Sequence, residues 1–127
     1  MKRLIVCVFA LACNNIEGTW NATSYNGSTF PAEDCDGSFC INIESVSMKV
    51  EQNDAGEQVG EFRSRVAILG FSSVVEYPIV ANQNDDGNWE LLLELGGDST
   101  YSADWVCDVN GRSMSCETDA SILFEKE

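Results

Sequence analysis

Turn punctuation constrains this chain more than any other feature. Asn53-Asp54-Ala55-Gly56, Asn84-Asp85-Asp86-Gly87 and Asn110-Gly111 each separate two runs of alternating apolar and polar residues. Asn/Asp-Gly pairs supply the positive backbone angles of tight hairpin turns, and alternation marks strands with one buried face. Gly70-Phe71-Ser72-Ser73 and Gly96-Gly97-Asp98-Ser99 add softer turns. Between them the pattern predicts strands at 18–26, 39–51, 58–69, 73–82, 88–95, 100–108, 112–117 and 120–126. No stretch carries an amphipathic helix. Eight strands on short connections favour an all-β, eight-stranded antiparallel up-and-down barrel, because closure removes edges that otherwise pair with other chains. Gly18-Thr19-Trp20 opens the series, and Trp20 is expected to plug one end. The interval 27–38 is the least regular and reads as a loop at the mouth.

Alternation assigns faces. Phe62, Ser64, Val66 and Ile68 point one way, Arg63 and Arg65 the other. Val75, Tyr77 and Ile79 face in. Trp89, Leu91, Leu93 and Leu95 share an inner face, as do Tyr101, Ala103, Trp105 and Cys107, and then Ile122 and Phe124. Between 39 and 51 the phase shifts: Ile41 and Ile43 have one parity, Val46, Met48 and Val50 the other. A bulge near Glu44-Ser45 reconciles them, and barrels use bulges to turn corners.

The N-terminus reads as a secretory leader over 1–12: Lys2 and Arg3, an apolar run, then small residues. That run is too short to span a bilayer, which takes about 20 apolar residues. Ala10-Leu11-Ala12-Cys13 resembles the lipobox of bacterial lipoproteins. The resemblance implies that Cys13 becomes the acylated first residue, with 13–17 as a short tether to a domain at 18–127. Plain secretion and a buried structural segment are the alternatives. In lipoproteins an Asp after the cysteine retains the protein at the inner membrane; Asn14 points instead to the outer membrane. The expected location is thus the outer membrane and periplasm, or the cell surface.

Export permits disulfides. Cys7 leaves with the leader and Cys13 is the lipid site, leaving Cys35, Cys40, Cys107 and Cys116. Four cysteines allow three connectivities. Cys35–Cys40 and Cys107–Cys116 are favoured because each closes a short loop. The second pair also selects a register. With Asn110-Gly111 central, Cys107 faces Met114; with Gly111-Arg112 central, as in a Gly-first II′ turn, it faces Cys116. Cys-x4-Cys and Cys-x8-Cys spacings argue against zinc.

Composition then removes functions. There is no histidine, which excludes Ser-His-Asp and Cys-His catalysis and histidine-ligated zinc. Without the leader, five basic residues face 21 acidic ones, a net charge of −16. That balance argues against nucleic acid, whose phosphates need cations, and against docking on anionic lipid through a basic patch. Glu33-Asp34-Cys35-Asp36-Gly37-Ser38 lacks the spacing and twelfth-position glutamate of a calcium loop. Acids are abundant, but no pair lies in surroundings that would raise a pKa. No enzyme activity, cofactor or metal is expected.

Gly18-Thr19-Trp20, the hairpin meander and the closing segment 121–126 together resemble the lipocalin superfamily, in particular the short lipocalin-like domains of bacterial lipoproteins. In that family the tryptophan closes the barrel floor beneath a basic residue near the last strand. The resemblance therefore implies a floor of Gly18, Trp20 and Lys126, with Arg112 as the alternative cation. It also implies a small hydrophobic ligand, for which Phe62, Tyr77, Leu91, Leu93, Tyr101 and Trp105 are the candidate contacts. The alternative is a filled barrel acting as a non-enzymatic surface module or an inhibitor. There the 27–38 loop and outward residues such as Val74, Val80, Leu92 and Leu123 would meet a protein partner.

Overall fold

The computed structural model describes residues 15–94 and 101–127, with side chains in the second segment from Trp105 onward. The expected leader, Cys13 and the turn at 96–99 lie outside the described residues. The fold is an all-β, eight-stranded antiparallel closed barrel in sequential up-and-down order, with one short additional strand. The barrel strands are β1 (Gly18–Tyr25), β3 (Phe39–Gln52), β4 (Gln58–Ile68), β5 (Phe71–Gln83), β6 (Trp89–Glu94), β7 (Tyr101–Asn110), β8 (Ser113–Glu117) and β9 (Ser121–Lys126). The addition is β2 (Ala32–Asp36).

β1 closes the cylinder. Trp20 through Tyr25 pair with β9, while Gly18 through Asn21 pair with Val50 through Ser47 of β3. β2 then follows β1 along the same edge of β3, pairing residues 32–36 with 43–39. The 27–38 interval is therefore not the irregular loop that its composition suggests. The upper half of β3 needs an edge partner, and the directly opposed Cys35 and Cys40 fix one. Where β1 hands over to β2, β3 residues 44–46 have no partner on that edge.

The expected bulge in β3 is present: its register against β4 shifts between Ile43 and Ser45. Two further bulges were not signalled by alternation. One lies in β1 between Ala22 and Ser24, and the other offsets β6 from β7 between Leu91 and Leu93. The β7–β8 hairpin adopts the register with Gly111-Arg112 central, so Cys107 faces Cys116 and the two are bonded. The β4–β5 turn is centred on Leu69-Gly70, two residues earlier than the centre of the expected Gly70–Ser73 turn, with Ile68 opposite Phe71. Both turn residues have positive φ (54° and 86°), an unusual conformation for leucine, and this is why composition misplaced the turn.

The lower half of the barrel is solid. Trp20, Met48, Val50, Ile79, Leu91, Leu93, Val109, Met114 and Phe124 are buried there with the Cys107–Cys116 bridge. Full burial of one such large side chain contributes roughly 1.5–3 kcal/mol. This packing fixes the shape of everything above it.

Candidate functional site

The floor is built from the first and last strands. Trp20 is fully buried, and its indole Nε1 donates to the Ile16 carbonyl at 2.8 Å. Lys126 is paired opposite Trp20, and its Nζ lies 5.1 Å from the ring centroid, within cation–π range. Gly18 has φ 132°, and a Cβ there would stand 2.9 Å from Lys126 Cε. Glycine at 18 thus leaves room for the lysine to cross the indole. Arg112 is not the cation over the indole. It supports Lys126 instead, donating from its guanidinium to the Lys126 carbonyl and accepting from the Lys126 amide on its own carbonyl, both at 2.8 Å.

Among the described residues, the upper half forms an open-mouthed cavity of about 480 Å³. Its wall is the inner face of the strands at the end opposite Trp20. Phe62, Val66 and Ile68 come from β4, Val75 and Tyr77 from β5, Trp105 from β7 and Ile122 from β9. Ile41, Ile43 and Val46 of β3 flank the place where β1 hands over to β2. Among the described residues, Ser64, Tyr25 and Asp34 add polar atoms to this wall beside the Tyr77 hydroxyl and the Trp105 indole.

Tyr25 and Asp34 meet across the handover. The Tyr25 hydroxyl donates to Asp34 Oδ2 at 2.9 Å, joining the upper ends of β1 and β2 where backbone pairing is absent. Partial burial, then the Asp34 hydrogen bond and charge, push the Tyr25 pKa up to about 12. The phenol therefore stays a neutral donor at any ordinary pH. Tyr25 reaches the cavity because of the β1 bulge. Trp20 and Tyr25 are five positions apart, and simple alternation would put them on opposite faces; the extra residue between Ala22 and Ser24 restores a common one.

Of the six residues expected to contact a ligand, Phe62, Tyr77 and Trp105 line the cavity. Leu91 and Leu93 do not. They are buried in the packed half beneath, because their partners Ala81 and Ile79 belong to that layer. The backbone of Tyr101 pairs with Glu94, and its side chain lies outside the described residues. Asp34 and Tyr25 were missed by sequence reasoning, although a signal for Asp34 existed. A cross-strand Cys35–Cys40 bridge sets Asp34 opposite Ile41, hence on the cavity side.

A Glu33 carboxylate oxygen and the sulfurs of Cys35 and Cys40 lie within 4.8 Å of one another. The two sulfurs are bonded together, so they supply no thiolate for an ion. The two disulfides place the folded chain in an oxidising, extracytoplasmic environment. Comparison of the chain with protein-family models, with curated proteins and with solved structures gave no match.

Proposed function

We propose that this chain is an exported, non-enzymatic, lipocalin-like binding protein that holds a small hydrophobic molecule in the upper half of its barrel. The supporting observation is the cavity of about 480 Å³, walled by aliphatic and aromatic side chains with few polar groups. That size and lining are typical of small-molecule sites, which span about 300–1,000 Å³. The indole-and-lysine floor agrees with the lipocalin resemblance. Tethering through an acylated Cys13 completes the proposal. The chain enters the barrel at the floor, so such a tether leaves the mouth facing away from the bilayer.

Native mass spectrometry of protein purified from its own host tests the proposal. The expected spectrum shows acylation at Cys13 and a further non-covalent mass that is lost on unfolding. A mature chain with no added mass, and no thermal shift with any apolar probe, would refute it.

A second reading rests on the exposed apolar residues near the mouth. Leu69 and Phe71 are 85% and 79% exposed at the β4–β5 turn, and Phe39 is exposed at the β2–β3 turn. In that reading these tips, together with the 27–38 segment, dock on a protein partner.

A further inference from the structure

We propose that the cavity selects an amphiphile whose polar end is a protonated amine, received by the Asp34 carboxylate at the handover between β1 and β2. This rests on the cavity being a ligand site and adds the chemical class of its occupant.

Charge is the first reason. Among the described residues that line the cavity, Asp34 is the only carboxylate, and no lysine or arginine accompanies it. The five basic residues of the barrel all lie away from this wall. Lys49 pairs with Glu51, and Arg63 with Glu76. Arg65 is exposed on the outer face of β4. Arg112 and Lys126 belong to the floor. A fatty-acid anion would therefore enter an acidic protein and meet a carboxylate, with no counter-charge along the wall. An ammonium group meets the opposite situation, and its hydrogen bond to a carboxylate is charge-assisted.

Geometry is the second. Tyr25 holds Asp34 through Oδ2, and among the described residues no donor occupies Oδ1. The carboxylate, exposed at the cavity mouth, is thus oriented by one partner and open to another. Because the phenol remains protonated, it adds no second anion; it fixes the acceptor without competing for the cation. The apolar wall runs from this point along β3, β4 and β5 toward Trp105, so one molecule spans both. The aromatic groups Phe62, Tyr77 and Trp105 favour a cation's neighbouring methylenes as well as an apolar tail.

The test is calorimetric titration of the full mature chain at neutral pH with three probes of equal length: decylamine, 1-decanol and decanoate, each below its micelle concentration or solubility limit. The expected order is decylamine tightest by about two- to fivefold over decanol, with decanoate weakest. Asp34→Asn should reduce the amine-to-alcohol ratio to about one, with an unchanged circular dichroism spectrum and melting transition showing that the variant is folded. Asp36→Asn removes the same charge nearby, outside the cavity lining, and should leave the ratio intact. Equal binding of all three probes would overturn amine selectivity while the cavity proposal stands. No binding of any probe would overturn both. A ratio lowered equally by Asp36→Asn would assign the preference to overall charge rather than to Asp34, and would overturn the site.

Discussion

Tyr25 shows how one side chain can be read as chemistry only after its backbone is known. Its phenol donates to Asp34, and its pKa is raised to about 12 from the ordinary 10.0. Between those values the unfolded chain loses the proton while the folded chain keeps it. The group's contribution to stability is fully present below pH 10 and is lost as pH rises through about 12. A near-ultraviolet difference titration of the folded protein against Tyr25→Phe should therefore show the Tyr25 phenolate appearing near pH 12. A difference centred at the ordinary tyrosine value would mean the Asp34 contact is absent in solution. Leu69 is the second residue with a local cost. It occupies a left-handed turn position that asparagine fills more readily, and it is almost wholly exposed. Leu69→Asn is expected to stabilise the protein by about 0.5–1 kcal/mol in urea denaturation. A gain in stability accompanied by loss of a host protein partner would favour the second functional reading.

At the scale of elements, the strands follow alternation while the bends follow special residues. Gly60 in β4 is such a residue: a Cβ there would lie 1.8 Å from the Lys49 carbonyl oxygen of β3. The two backbones approach too closely for any side chain, so Gly60→Ala must displace β3 from β4. A loss of about 1–3 kcal/mol or more is expected, measured by denaturant midpoint. The disulfides divide differently. Cys107–Cys116 lies within the buried core, whereas Cys35 is exposed on the β2–β3 hairpin. Replacing the core pair with alanine should cost about 3–5 kcal/mol, combining lost cross-linking with lost packing. Replacing Cys35 and Cys40 should cost about 2 kcal/mol or less, and mild reductant followed by alkylation should label that pair first. Cleavage of the core pair first would contradict the packing described for the lower barrel.

Across the whole molecule, the barrel, its strand sequence, both disulfides and the β3 bulge were legible in the sequence. Each is written locally: Asn/Asp-Gly turns, period-two runs, cysteines in near pairs, and a parity break at Glu44-Ser45. What could not be read depends on contacts distant along the chain. The β1 bulge that turns Tyr25 inward is set by pairing with β9, roughly a hundred residues later. Leu91 and Trp105 both alternate inward and are paired, yet one is core and the other cavity wall. Alternation gives the face of a strand but not the height at which packing stops. For the same reason the sequence left a filled barrel and a hollow one side by side. The structure has both, a solid lower half and a cavity above it.

That division is the central claim, and calorimetry with 1-decanol on the mature protein and on Ser64→Phe tests it most directly. Ser64 faces the cavity, so a phenyl group there occupies the space without disturbing the floor. Saturable one-to-one binding with a negative heat-capacity change is predicted for the native chain, and its loss in a Ser64→Phe variant that melts no lower. Binding that is absent from the native chain, or unchanged when the cavity is plugged, would contradict it.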